Sequence, residues 1–466
     1  MTEEEAGTRH DDSVQPGAAS RQDMPDGVRQ IMRNVMRVVP KIRRARQGLA
    51  ERLRRLRGAP HVVHLFHQVD DAYSELAIQA AAGIAERYDV ELRFHLVGQA
   101  DELFAPEPDL LAAYARRDSA TVAPHYGLSF PAEAKAPPTD RVALVEAILA
   151  GRLEDPSFLE VALEAGRALW KGDEPALRAL EARVPPASER DRKAALEAGN
   201  DLRSRWRHYS GGMFYYGGEW YWGVDRLYHL ERRLTRYGAR RAGQDASIRF
   251  DRPPLDAGTV RNDGRLRLEI YPSLRSPYTA MIFDRSMALA ESVDVPVELR
   301  PVMPMVMRGV PAPAAKGLYI LSDALREAEH VGVAFGDMYD PIGEPVLRGF
   351  SLWPFARDAG RGAEYLSSFL RAAFAEGRKT GDDAGLRFVV ERAGLDWEAA
   401  REHLGSDAWR DELEANRQTM YEALGLWGVP SYRLLDADGR TLLSVWGQDR
   451  LWLVAAVIRK TLAESA

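Results

Sequence analysis

Two helix starts, one led by serine and one by aspartate, and two tryptophan-glycine turns hold most of the residues that could do chemistry. Ser276 is followed by Pro277 and Tyr278, where an apolar, β-rich run gives way to a helical one. Serine is a preferred N-cap and proline a preferred first helical residue, so one reading of the pair is a helix start and nothing else. The other reading uses the same geometry. A helix N-terminus presents unpaired N–H groups and a partial positive charge, which stabilise an anion set beside it. A thiol held there loses its proton nearer neutrality and becomes a competent nucleophile. The chain contains no cysteine. Any sulfur at Ser276 must therefore arrive on another molecule, and disulfides, cysteine nucleophiles and a dithiol redox cycle run by this chain alone are excluded.

Other residues pair with this place by position. Gly428-Val429-Pro430 precedes the β-rich run SYRLL, and proline suits the first residue of a strand. Gln448 and Asp449 open the last helix, where aspartate is a natural cap. In the first half of the chain Asp71 stands where Ser276 stands in the second. Aspartate caps a helix equally well, but an ionised carboxylate cannot donate to a thiolate and repels it. His61, His64 and His67 invite a metal reading. On a strand the first and third share a face while His64 points to the other, so three ligands do not converge and no metal site is expected.

The elements that must position these residues come twice. WGVDRLYHLERRL (222–234) and WGQDRLWLVAAVI (446–458) repeat one another, as do VELRF (90–94) and VELRP (297–301). LAAYARRDSATVAPHYGLSF (111–130) parallels KGLYILSDALREAEHVGVAF (316–335), setting Tyr114, Asp118 and Gly127 against Tyr319, Asp323 and Gly332. Similarity this long means two copies of one unit. Each copy reads as strand, helix, strand, a long helical stretch, a hairpin and a closing helix. The opening βαβ requires parallel strands and a right-handed crossover. The copies span 60–235 and 265–466, with 236–264, rich in Arg, Gly, Asp and Pro, as a linker.

Residues 1–26 are acidic, nearly without large apolar groups, and are expected to be disordered. Residues 27–58 carry eleven basic residues against one acid, Glu51. Val28, Met32, Val35, Val39, Ile42, Leu49, Leu53 and Leu56 form an apolar seam there, with Arg46 in the one missing place. This predicts a basic amphipathic helix, broken or kinked at Pro40. Its seam suits docking on its own protein or on a twin chain; the other use is attachment to an anionic membrane surface. A net charge of −6 gives no reason to expect nucleic acid, and no apolar run reaches membrane-spanning length. The acidic start lacks the pattern of a signal peptide, so a cytoplasmic protein is expected.

A βαβ half and a ββα half split by a helical insertion is a thioredoxin-like plan. The second copy resembles the DsbA-like thioredoxin superfamily, and within it the kappa-class glutathione transferases and 2-hydroxychromene-2-carboxylate isomerases. The resemblance rests on SLRSPYT after the first strand, KGLYILSD opening the insertion, GLWGVPSY before the hairpin and WGQDRL after it. It covers nearly all of 265–462, and the first copy shares it more weakly. It implies an α/β fold of two tandem thioredoxin-like (DsbA-like) domains, each with a helical insertion, behind an N-terminal basic helix. It also implies glutathione as cofactor, with Ser276 as the catalytic residue donating to its thiolate. Val429–Pro430 would be a cis peptide turning backbone groups toward the tripeptide. Gln448 and Asp449 would hold the γ-glutamyl end, and Lys316 would contact the tripeptide. One departure is that RPVMPMVMRGVPAPAAK is shorter than the family's loop and lacks its asparagine.

Met303, Met305, Met307, Trp353, Phe355 and Trp427 would either wall an aromatic or hydrophobic co-substrate or pack a core. In the first copy Leu111 replaces the lysine, Ser210-Gly211-Gly212 replaces Gly-Val-Pro, and Asp225 is expected only to cap. That copy is expected to be degenerate and supporting. Its aromatic hairpin, Phe214 to Trp222, suits a core on one side and an interface with the second copy on the other. The resembled enzymes are commonly dimers, so the tandem chain suits a pseudo-dimer of its own two copies or a homodimer. The expected activity is a glutathione-dependent isomerase or transferase acting on a hydrophobic electrophile. The alternative is a non-catalytic thioredoxin-fold binding or scaffold protein.

Overall fold

The computed structural model describes residues 24–310 and 313–464, so nearly all of the expected disordered tail lies outside the described residues. Helix α1 (Asp26–Leu56) continues through Pro40 without ending, so of the break or kink expected there the break does not occur. One missing N–H does not stop a helix whose turns on both sides are held independently. Arg33 pairs with Asp337 before the proline, and Glu51 pairs with Arg54 after it.

In the first copy, β1 (His61–His67), α2 (Ala72–Arg87) and β2 (Val90–Leu96) form the βαβ unit, with β1 and β2 parallel from His61↔Val90 to His67↔Leu96. The insertion is α3 (Pro108–Val122), α4 (Thr139–Ala150), α5 (Phe158–Lys171), α6 (Glu174–Arg183) and α7 (Glu189–Arg205). The hairpin β3 (Met213–Tyr216) and β4 (Glu219–Trp222) turns through Gly217 and Gly218, whose φ values of 51° and 89° only glycine adopts readily. Helix α8 (Leu227–Arg236) closes the copy.

The second copy repeats the order: β5 (Leu266–Tyr271), α9 (Pro277–Ser292) and β6 (Val297–Leu299). The helices α10 (Ala314–Val331), α11 (Glu344–Ser351), α12 (Trp353–Asp358), α13 (Gly362–Phe374), α14 (Asp383–Arg392), α15 (Trp397–Arg401) and α16 (Arg410–Glu422) follow. Then come β7 (Ser431–Asp436), β8 (Thr441–Trp446) and α17 (Leu451–Ala463). The two four-stranded sheets have the same plan, β2-β1-β3-β4 and β6-β5-β7-β8, each a parallel pair extended by an antiparallel hairpin. Leu65, Phe66 and Phe214 fill the centre of the first; Leu268, Ile270, Tyr432 and Leu434 fill that of the second.

The chain divides into two compact units that cut across the expected domains 60–235 and 265–466. One holds α1 as far as Val38, residues 261–312 and 321–448, and so contains the second sheet. The other holds residues 39–260, 313–320 and 449–466, and so contains the first sheet together with both closing helices, α8 and α17. Tyr319, from the start of α10, lies in the core of that unit with Phe66, Met213 and Trp220. The aromatic hairpin thus packs against a residue of the second copy.

Candidate functional site

Strand β5 ends at Tyr271, and a short turn delivers Ser276 to the start of α9. Ser276 has the extended backbone of an N-cap, φ −89° and ψ 118°, and its Oγ accepts the N–H of Thr279 at 3.1 Å. The same Oγ donates to the carbonyl oxygen of Val429 at 3.3 Å. The Val429–Pro430 peptide is cis. Pro430 begins the approach to β7, where its carbonyl accepts the N–H of Gly447 at 2.9 Å. The N–H of the half-buried Val429 makes no hydrogen bond among the described residues. Gly428 is required here: a Cβ would meet the Trp446 indole nitrogen at 2.2 Å. Serine hydroxyl, cis peptide and unengaged N–H are therefore held together by the meeting of β5, α9 and β7.

Beside the serine is a group that sequence reasoning missed. Arg275 grips Asp340 through Nε and Nη2, at 2.8 and 2.9 Å. The signal was present in the motif, a basic residue directly before the capping serine.

The remaining expected ligands already have partners. The buried Gln448 donates through Nε2 to Glu327 Oε2 at 2.8 Å. Lys316 donates to the carbonyl oxygen of Phe104 at 2.8 Å, and burial lowers its ammonium pKa. Asp449 Oδ2 accepts from Arg226 Nη1 at 2.7 Å. Burial raises the Asp449 pKa, but Arg226, Arg450 and Arg252 outweigh it and leave the carboxyl below its ordinary value. Ser276, Val429 and Pro430 are brought together; Lys316, Gln448 and Asp449 are each engaged with the protein itself.

Asp449 also belongs to a pattern that explains the repeated WGxDR. The two Asp-Arg pairs cross: Arg226 pairs with Asp449, and Arg450 pairs with Asp225 through Nη1 at 2.8 Å and Nη2 at 2.9 Å. Arg450 further grips Asp118 through Nε at 2.8 Å and Nη2 at 2.6 Å. Asp118 accepts the hydroxyls of Tyr73 and Tyr114 as well, at 2.9 and 3.2 Å. The copy-two counterpart of the first of these, Tyr278 to Asp323, is also 2.9 Å long. Neither Asp225 nor Asp449 caps its helix, contrary to expectation; Arg226 and Arg450 occupy the cap positions without a side-chain cap bond. Buried guanidinium groups need counter-ions more than an exposable amide needs a cap. The missed signal was the arginine that both copies carry after the aspartate.

In the first copy Asp71 caps α2, accepting from Tyr73 and Ser74 N–H at 3.3 and 2.9 Å, and desolvation pushes its pKa up to about 6. Gly212, at φ 63°, brings its loop against this cap: a Cβ there would lie 3.3 Å from Asp71 Oδ2. The three histidines have separate surroundings. His61 Nδ1 meets the Tyr216 hydroxyl at 2.6 Å, His64 Nδ1 meets His95 Nε2 at 2.9 Å, and His67 is buried. The expected apolar wall is divided. Trp353 is buried and donates to Glu412 Oε1 at 2.8 Å, Phe355 lies against His403, and Trp427 packs on Trp446.

Against known proteins, residues 267–459 match the family described as DSBA-like thioredoxin domain. No curated protein matches the sequence. Among solved structures, a probable DsbA oxidoreductase from Streptomyces coelicolor is similar at 23% identity and TM-score 0.33, over 43% of this chain and 89% of that one. A 2-hydroxychromene-2-carboxylate isomerase is similar at 18% identity and TM-score 0.35, over 42% of this chain and 97% of that one. A cytosolic disulfide reductase from Pseudomonas aeruginosa, solved with GSH, is similar at 21% identity and TM-score 0.34, over 43% of this chain and 98% of that one.

Proposed function

We propose that the DsbA-like thioredoxin domain at 267–459 binds glutathione at Ser276 and acts as an isomerase or transferase on a hydrophobic electrophilic substrate. The observation that carries this reading is the Ser276 hydroxyl at the start of α9, 3.3 Å from the carbonyl oxygen of the cis Val429–Pro430 peptide. Glutathione, when bound, supplies the sulfur nucleophile that a cysteine-free chain lacks. The protein's part is to receive it. The Ser276 proton, now on a long bond to Val429, can turn toward an anion while Thr279 keeps the oxygen in place. The positive end of α9 adds to that stabilisation. The unengaged N–H of Val429 and its carbonyl present one extended-peptide edge, the pairing a tripeptide backbone requires. The residues thus fit a thiol and its adjoining peptide.

At the tripeptide's ends the fit is different. Asp449, Gln448 and Lys316 would have to exchange present partners, and this favours a second reading of a thioredoxin-fold scaffold that no longer turns over substrate. In both readings the first sheet is a degenerate copy of the same domain that supports the second, and the protein works in the cytoplasm.

Calorimetry with glutathione separates the two. Binding in the micromolar-to-millimolar range, with the thiol pKa lowered by wild type and not by Ser276→Ala, is the expected result. No heat at several millimolar glutathione removes the enzyme reading.

A further inference from the structure

Eight of the eleven exposed large apolar side chains among the described residues lie on one element, α1. Every seventh residue from Val28 to Leu56 is aliphatic, and this stripe faces solvent: Val35 is 50% exposed, Ile42 51%, Leu49 59% and Leu56 84%. Of the seam read from the sequence, Met32 and Val39 are half-buried, while Val28, Val35, Ile42, Leu49, Leu53 and Leu56 are exposed. The helix is attached chiefly through polar side chains. Arg29, 2% exposed, donates to the carbonyl oxygens of Asp340 and Ile342, the latter at 2.8 Å. Arg33 pairs with Asp337 at 2.5 Å, Arg43 lies 3.7 Å from Glu219, and Met36 packs inward. A helix held largely by hydrogen bonds and ion pairs, with most of its aliphatic side chains outward, inverts the usual arrangement.

The charge around the stripe identifies what covers it. Lys41, Arg44, Arg46, Arg52, Arg55 and Arg57 are all exposed, while the single acid of this stretch is turned inward. In heptads that put the exposed Val28, Val35, Ile42, Leu49 and Leu56 at the first core position, Lys41, Arg46 and Arg55 fall at the flanking places that face a partner helix. A second copy of α1 would set cation against cation there. An anionic bilayer answers both features, taking the aliphatic side into its headgroup–acyl boundary and the flanking cations into its phosphates. No helix of the described residues is long and apolar enough to cross a membrane, so α1 would lie in the interface plane.

We propose that α1 is a surface anchor for anionic lipid membranes, with the aliphatic stripe inserted and the arginine flanks on the headgroups. The test is co-sedimentation of the full chain with vesicles of phosphatidylcholine alone or mixed with phosphatidylglycerol, at low and high salt, alongside sedimentation equilibrium without lipid. Binding to the mixed vesicles only, falling at least tenfold at high salt, is the expected pattern. The variant Leu49→Gln/Leu53→Gln/Leu56→Gln should lose about tenfold or more, and Arg44→Gln/Arg46→Gln/Arg52→Gln about fivefold per cation removed. All six side chains are exposed, so both variants should keep wild-type circular dichroism. Absence of binding to anionic vesicles overturns the proposal, as does binding that the leucine variant leaves unchanged. A lipid-free dimer abolished by the leucine variant would also overturn it and assign the stripe to a second copy.

Discussion

Arg450→Met tests the crossed Asp-Arg arrangement most directly. Arg450 and Asp118 have side chains 3% and 0% exposed, and Asp225 is 13% exposed. Removing the guanidinium leaves two close carboxylates with no buried cation of their own. Breaking a buried pair in this way costs ~3–5 kcal/mol. The hydroxyls of Tyr73 and Tyr114 still donate to Asp118, and that of Tyr126 to Asp225, so the lower end, ~3 kcal/mol, is expected at neutral pH. Burial already holds the Asp225 carboxyl above its ordinary value, and Arg450 is the charge that most opposes this. Without Arg450 that carboxyl rises further above its unfolded value, so stability returns as pH falls and the deficit shrinks toward pH 5. Urea unfolding at both pH values, followed by tryptophan emission, reads this directly, since Trp452 packs 4.7 Å from the His125 ring beside the cluster. Converting Asp118 and Asp225 to Asn in the same chain should recover the loss to within ~1 kcal/mol, because neutral amides need no counter-ion. A loss below ~1 kcal/mol in the single variant, or one equal at pH 5 and 7, would refute the reasoning.

Other tests address single groups. Ser276→Ala should abolish the lowering of a bound thiol's pKa while leaving the urea midpoint within the effect of a lost cap, ~1 kcal/mol. Burial pushes the Glu75 pKa up to about 8, beside a cavity of about 110 Å³. Its contribution is fully present below the unfolded carboxyl range and is lost as pH rises to about 8. Glu75→Gln should therefore stabilise the protein at pH 8 relative to pH 5 by at most ~4 kcal/mol in paired urea titrations. His64 and His95 are both held down to about 4, chiefly by burial. Their contribution is present above the unfolded histidine range and is lost as pH falls through about 4, so His64→Gln should flatten the acid limb of the stability curve. The vesicle experiment on α1 completes the set.

Much of the fold was legible because repetition doubles each weak signal. A strand, helix and strand at 61–96 could be doubted alone, but the same order at 266–299 removes the doubt. Ser276 was legible as a cap because Ser-Pro carries its own geometry. The partners of Asp225 and Asp449 were not, since an aspartate opening a helix satisfies a local rule and Arg450 lies far away in sequence. The periodicity of α1 showed which side is apolar, but not which side faces the protein. Orientation depended on carbonyl oxygens at 340 and 342, which no pattern within the helix reports. The methionine and tryptophan group failed as a wall because composition does not place Trp353 beside Glu412 rather than Trp427.

The crossed Asp-Arg pairs carry a consequence for the order in which the chain can close. Asp118 and Asp225 precede Arg450 by 332 and 225 residues, and Arg226 precedes Asp449 by 223. On a chain growing from its N-terminus the two aspartates are therefore made long before the guanidinium that neutralises them. All five residues lie in the unit that holds the first sheet, so that unit is complete only when the last helix of the chain has arrived. Contacts of such sequence separation form late, because the intervening chain must be ordered before they are rewarded.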